Sequence, residues 1–514
     1  MKIARVLGAS LVGTSAELVT VEARFEAQPR ERTEILLTGL PDPVLRESKG
    51  RLESALRENG LEIGGGRLFL NLVPAARRKS GESLDLALAL SAAAASGHFE
   101  ARLLRGALFL GELGIDGRLH GVPGGLAAAL AARARGVRRL FAPHATASEA
   151  AAVAELEVFP ARHLAQVLAH VTGNGLGIPR LVLRQDELPE ELAGPSLDEI
   201  RGLEQAKLSL AVAAAGGHGL LLVGPPGAGK SMLARRLPRL LPPPGFEERL
   251  EITQALSAAG RWPGGLAHTR PFRAPHHTAS YAAMIGGGVL ASPGEITLAH
   301  RGVLFLDELP EFRREVLEAL RQPLESGTVL VSRSARQVEL PSRFQLVAAM
   351  NPCPCGYLGH RRIACRCPPG YVQRYRRRIS GPLLDRIDLV LEVQPAEVDE
   401  LAAAPGASPR EAGSLGEAGE ARLRARVRAA RALARERQGA ALNAGLDADE
   451  LDRFAPLVGP ARTLLERATR ARSLSARAVQ SLRRVARSVA DLEGSEEARP
   501  EHLAQALALR TRLF

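Results

Sequence analysis

Eight consecutive residues, Gly224-Pro-Pro-Gly-Ala-Gly-Lys230-Ser231, have the composition of a phosphate cradle. They follow the apolar run Gly219 to Val223 and precede Met232-Leu233-Ala234, an order that suits strand, turn and helix. Gly224, Gly227 and Gly229, with Ala228 between, let backbone N–H groups converge on phosphate oxygens, and the helix N-terminus adds its dipole. Lys230 would reach the β- and γ-phosphates and Ser231 would hold Mg²⁺. A second apolar run, Val303 to Leu306, ends in Asp307-Glu308. There one carboxylate can order the metal while its neighbour polarises water. Asp307 alone would equally suit a helix cap, and the phosphate loop upstream favours the metal. A third run, Phe344 to Met350, ends in Asn351, whose amide would lie beside the phosphates because open α/β sheets gather ligands at the carboxyl ends of their strands.

Two arginines stand apart from these segments. Arg386 lies in Gly381-Pro-Leu-Leu-Asp385-Arg386-Ile-Asp388, ahead of the strand Leu389 to Val393, and taken by itself suits a surface ion pair. Arg477 opens the basic stretch Ser475 to Arg487, which has the spacing of an amphipathic helix. All four cysteines fall in two C-x-C pairs, Cys353/Cys355 and Cys365/Cys367. Tetrahedral Zn²⁺ is the natural ligand for four clustered thiols, with His360 able to replace one; reduced free thiols and redox sensing are the alternatives. From Cys353 to Arg378 there are seven Arg, no acidic residue, and Tyr357, Tyr371 and Tyr375. Basic residues interleaved with aromatics suit nucleic-acid backbone contact and base stacking, with Arg374 and Arg376 as candidates.

The elements that must position these residues divide the chain into three. Residues 1–180 read as an α/β unit, with a strand over Arg67–Pro74, a helix over Ser83–Ser96, a hairpin over Gly106–Val122 and a helix over 125–135. Residues 181–197 suit a linker. The P-loop α/β core follows over 198–402, opening with a helix near Leu203–Ala215 and holding the Cys-rich insertion 353–378. Residues 403–420 are a low-complexity loop, and 421–514 have helical periodicity. Lys plus Arg is 68 against 56 acidic residues, a net charge of +12 that favours polyanions. Only five of the 68 are Lys in a chain rich in Ala, Gly and Leu, a profile that a GC-rich genome would also give, so the charge counts modestly. No apolar stretch reaches membrane-spanning length and no cleavable leader is evident, which points to the cytoplasm.

The stretches Ala214–His218, Phe272-Arg-Ala-Pro-His-His277, Pro293–Gly302 running into Leu306–Pro310, Ala348–Gly356 and Ser380–Asp388 together resemble the magnesium-chelatase-like AAA+ proteins of bacteria, in the YifB/ComM group, over essentially the whole chain. The resemblance implies a homo-hexameric ATPase ring in which Glu308 activates water, Asn351 is similar to the sensor-1 residue, Arg386 to the arginine finger and Arg477 to the sensor-2 arginine of a helical lid. It also implies a hairpin over Val329–Leu340 with Arg333 and Arg336 facing DNA. The N-terminal domain is similar to a Lon-protease domain: Arg78-Lys79-Ser-Gly81-Glu-Ser83 lies over the segment of Lon's serine, and Ala127 stands where its lysine base would be. Without that base Ser83 has nothing to activate it, so peptidase activity is not expected. The implied function is a DNA motor on single-stranded or branched DNA, promoting branch migration in natural transformation. A chelatase-type motor acting on metal insertion or on a partner protein is the alternative.

Overall fold

The computed structural model describes residues 3–29, 33–39, 42–74, 81–182, 194–262, 264–288, 291–333, 336–394 and 419–510. The expected linker 181–197 and loop 403–420 fall largely outside them, as do Arg78 and Lys79. The first unit is a seven-stranded mixed sheet. Its order is Thr33–Thr38, Gly66–Val73, Ser15–Ala27, Ile3–Val12, Ala107–Phe109, Arg139–Ala142, Glu157–Pro160. The two longest strands, Ile3–Val12 and Ser15–Ala27, pair antiparallel along their length. The helix Asp85–Ala95 begins after a short 3-10 turn at Glu82–Leu84, and Gly125–Ala134 is helical. The segment 106–122 differs from the single hairpin expected. Ala107–Phe109 joins the main sheet parallel to Arg139–Ala142, and only Glu112–Leu113 with Leu119–His120 form a hairpin. Ala107, Leu108 and Phe109 are all buried, and a strand covered on both faces belongs inside a sheet.

Beyond it a five-stranded sheet runs Phe272–Arg273, Val303–Leu306, Gln345–Met350, Leu220–Val223, Leu389–Glu392, with every neighbouring pair parallel. Its three central strands are buried throughout, as their continuous apolar runs require. Helices cover the C-terminal region from Glu420–Gln438 to Pro500–Ala508. Ala478, Leu482, Val485, Val489 and Leu492 recur on one face of the helix Ala476–Leu492, and all are buried. That face shares one hydrophobic cluster with Leu210, Leu220 and Val347 of the α/β core. Among the described residues no helix is long and apolar enough to cross a membrane.

The first unit docks on the second through buried polar contacts. Ser257, near the end of the helix Phe246–Ala258, donates to Glu149 Oε2 at 2.6 Å and accepts the Gly124 N–H at 2.8 Å. Nearby, Gln254 Nε2 donates to the Thr14 carbonyl at 2.7 Å. The Gly124–Leu126 segment is thus occupied by this contact, and Ala127 beside it is buried. Ser83 is also buried, with its hydroxyl donating to the Ala9 carbonyl at 2.7 Å.

Burial pushes the Glu149 carboxyl from its ordinary 4.5 up to about 7, against the hydrogen bonds from Ser257 and Leu126. A raised carboxyl stabilises the fold most where it is protonated in both states, below the ordinary value, and that contribution is lost as pH rises through 7. Glu149→Gln cannot ionise. Its melting temperature should match the wild type near about pH 4 and exceed it increasingly toward about pH 8, as differential scanning calorimetry would show.

Candidate nucleotide and metal sites

The phosphate loop leaves the strand Leu220–Val223 at Gly224, where a Cβ would lie 2.2 Å from the Val393 carbonyl oxygen. Gly227 and Gly229 take φ of 80° and 85°, the left-handed region that side chains disfavour. Buried Ala228 closes the turn with its N–H on the Pro225 carbonyl at 3.3 Å. Lys230 Nζ donates to the carbonyls of Gly224 and Pro225 at 2.7 and 2.9 Å and to Asn351 Oδ1 at 3.1 Å. Desolvation lowers its pKa, against the pull of Asp307 and Glu308. Ser231 Oγ donates to Asp307 Oδ2 at 2.5 Å. Three strand ends therefore bring a cation, a hydroxyl, a carboxylate and an amide together where the sequence places them. The donor set fits a magnesium nucleotide: loop N–H groups and an ammonium for phosphate oxygens, a hydroxyl–carboxylate pair for a hard cation.

Glu308 adopts a left-handed backbone with φ 51° and ψ 47°, an uncommon state for a residue with a side chain. It turns the carboxylate outward, about half exposed, to within 3.2 Å of His277 Nδ1. His277 follows the edge strand Phe272–Arg273, and its ring also meets Phe312 edge-on. The sequence offered His277 only inside a matching stretch, with no role. Its signal was position: parallel pairing of Phe272–Arg273 with Val303–Leu304 sets the following loop beside the Asp307-Glu308 strand end.

Arg386 and Arg477 are brought together, and away from Lys230. Arg386 pairs with Glu325 and donates to the Pro382 carbonyl at 2.6 Å, while Arg477 lies 3.9 Å from the same Glu325 carboxylate. Both line a cavity of about 340 Å³ with Glu325, Asp385, Gln480 and Arg484. No residue of the phosphate loop, nor Asp307, lines it.

The four cysteine sulfurs lie within 4.8 Å of one another, at 3.4 Å for Cys353–Cys355 and 3.6 Å from each to Cys365. Sulfurs about 2.3 Å from a tetrahedral zinc stand roughly 3.8 Å apart, so the set, Cys367 included, is close to the size the metal needs. Backbone N–H groups of Tyr357 and Arg366 bring the Cys355 thiol down to about 6, whereas desolvation and the crowded neighbouring thiols push Cys365 up and Cys367 up to about 12, so that a cation would be needed for all four to lose their protons. His360 is not part of the cluster; its Nδ1 accepts the N–H groups of Arg362 and Ile363 at 3.1 and 3.0 Å.

In the basic segment Arg374 is exposed on the helix Pro369–Arg376, with its guanidinium 5.5 Å from the centre of the exposed Tyr371 ring. Arg376 is half-buried and donates to the Pro352 carbonyl at 3.3 Å. Tyr375 corrects the expectation of three stacking aromatics. It is buried in the core, which pushes its hydroxyl up to about 12. Thr328–Arg333 and Arg336–Pro341 form the expected antiparallel hairpin, with Arg333 opposite Arg336. The side chains of those two arginines lie outside the described residues.

Comparison with known proteins agrees with this architecture. A family profile described as "Magnesium chelatase, subunit ChlI" matches residues 196–401, "Subunit ChlI of Mg-chelatase" matches 21–146, and "Magnesium chelatase, subunit ChlI C-terminal" matches 417–510. YifB of Salmonella typhimurium is 39% identical over 518 residues, 99% of this chain and 97% of the relative. Competence protein ComM of Haemophilus influenzae is 39% identical over 524 residues, 99% of this chain and 98% of its own. The magnesium-chelatase 67 kDa subunit of Heliobacterium mobile is 29% identical over 216 residues, 36% of this chain and 32% of the relative. With identity of this order along the entire length, and with the phosphate loop, its carboxylates and Asn351 assembled at one sheet edge, the chain belongs to the YifB/ComM group of magnesium-chelatase-like AAA+ ATPases.

Proposed function

We propose that this chain is an ATP-driven DNA motor that works as a homo-hexameric ring and promotes branch migration during homologous recombination in natural transformation. The observation that carries the ring is the division of the catalytic residues. Lys230, Ser231, Asp307 and Asn351 meet at one strand edge, whereas Arg386 and Arg477 meet at Glu325. A site with its arginines elsewhere is completed by a second subunit, whose arginines neutralise charge developing on the γ-phosphate. Competence protein ComM, similar along its whole length, supports the DNA reading. So do the net charge of +12 and the acid-free Cys353–Arg378 segment.

Bound MgATP supplies the phosphoryl group to be cleaved. Lys230 exchanges the Gly224 and Pro225 carbonyls for phosphate oxygens, Ser231 and Asp307 open their mutual bond to hold the cation, and Asn351 orients the γ-phosphate end. Glu308 takes a proton from the attacking water on its carboxylate, released from His277. Cys353, Cys355, Cys365 and Cys367 hold a structural zinc that fixes the basic segment beside the Asn351 strand end. Arg374, with Arg333 and Arg336 of the hairpin, contacts the DNA backbone, while Arg376 braces the segment through Pro352.

Lys230→Ala should lose nucleotide binding, measured by equilibrium titration with a fluorescent ATP analogue. Glu308→Gln should bind ATP and hydrolyse it at least roughly a hundredfold more slowly; normal turnover would contradict the assigned base. Elemental analysis of protein purified without added metal should give one zinc per chain, lost in Cys353→Ser/Cys355→Ser. A metal-free wild type with four titratable thiols would rule the zinc out. Binding to a synthetic four-way junction should weaken steeply with salt, and Arg374→Ala should shallow the logarithmic slope by about one unit. Strand exchange should need ATP and be absent in Lys230→Ala. Failure to bind any DNA at moderate salt would favour the chelatase-type motor instead.

A further inference from the structure

The turn Gly216-Gly217-His218-Gly219 joins the helix Glu204–Gly216 to the strand that feeds the phosphate loop, and the nucleotide chemistry leaves it unexplained. His218 is fully buried, with Nδ1 2.8 Å from Asp388 Oδ2 and Nε2 2.7 Å from Ser488 Oγ. Its ring thus bridges two distant segments. Asp388 stands two residues after Arg386, and Ser488 lies on the helix Ala476–Leu492 that carries Arg477. Asn443 Nδ2 closes the bridge on the far side, donating to Ser488 Oγ at 2.9 Å. Burial pushes the Asp388 carboxyl up, but bonds to His218 and Ser481 outweigh it and hold the group below the ordinary carboxylate range.

The glycines leave room for this bridge. A Cβ on Gly216 would stand 2.1 Å from His218 Nε2 and 2.2 Å from Ser488 Oγ; one on Gly217, at φ 75°, would meet Leu442 Cδ1 at 2.7 Å. A Cβ on Gly219 would come within 3.3 Å of the Arg386 carbonyl oxygen. Arg510 ties the same two segments a second time, donating to the Ile387 and Asp388 carbonyls at 3.2 and 3.0 Å and to Ser481 Oγ at 2.7 Å. Loss of the histidine bridge therefore loosens the junction without opening it.

We propose that His218 is a positioning residue that, through Asp388 and Ser488, sets Arg386 and Arg477 relative to each other as a pair offered to a neighbouring subunit. This rests on the reading above that the two arginines act in trans. His218 has no contact with Lys230, so its loss should act on the neighbour's site and spare the chain's own.

Subunit mixing separates these effects, with differently tagged chains used to verify mixed rings. Lys230→Ala with Arg386→Ala tests the underlying reading: partial recovery of ATPase is expected, and none would overturn both that reading and this proposal. His218→Gln alone should lose roughly tenfold in kcat at nearly unchanged ATP affinity. Mixed with Lys230→Ala it should recover, because its intact phosphate loop receives sound arginines. Mixed with Arg386→Ala it should show no recovery above its own residual rate, since every donor is then faulty. The reverse pattern, recovery with Arg386→Ala only, would assign His218 to its own phosphate loop and overturn the proposal, as would recovery in neither mixture while the control recovers. Ser488→Ala keeps the His218–Asp388 pair and should repeat the pattern with a smaller loss, so the result does not hang on one buried substitution.

Discussion

Parallel pairing of short strands is the constraint from which the nucleotide site follows. Leu220–Val223 lies between Gln345–Met350 and Leu389–Glu392, in a register that sets Val223 opposite Met350 on one side and Glu392 on the other. All carboxyl ends then reach the same edge, so the residues that leave the strands there, Gly224, Asp307 and Asn351, are neighbours whatever their separation in sequence. The fit is tight. The Gly224 N–H is held by the Met350 carbonyl at 3.2 Å, and the space for a Cβ is filled by the Val393 carbonyl. Lys230 meanwhile satisfies its ammonium on the carbonyls of its own loop, which keeps a buried cation paired.

The C-terminal helices join this sheet by apolar packing and by polar bonds that apolar packing could not specify. Leu482, Val485 and Val489 would accept many sliding arrangements against Leu210 and Leu220. Buried hydrogen bonds are directional and costly when unmade, so His218, Asp388, Ser488 and Arg510 admit few. They act where it matters, beside the segments of Arg386 and Arg477. Glu325 holds that pair by charge, at the cavity that both arginines line.

Chemistry encoded by neighbouring residues was legible in the sequence. Gly224 to Ser231, the Asp307-Glu308 strand end, Asn351 and the two C-x-C pairs each draw on a few adjacent side chains whose backbone geometry follows from local rules for glycine turns, strand ends and thiol spacing. Tertiary structure decided the rest. Tyr375 reads as an aromatic among arginines and is core, because its helix turns that face inward. Ile3–Val12 and Ser15–Ala27, the longest strands of the first sheet, carry no chemistry to mark them, and Glu149 becomes a perturbed carboxyl because the fold buries it, beside a Ser257 that stands 108 positions later in the chain. His218 meets Ser488 across 270 positions, and Arg477 meets Glu325 by the same packing of the C-terminal helices. No local spacing records such contacts. They depend on how whole faces dock, which burial of apolar surface decides over the chain at once.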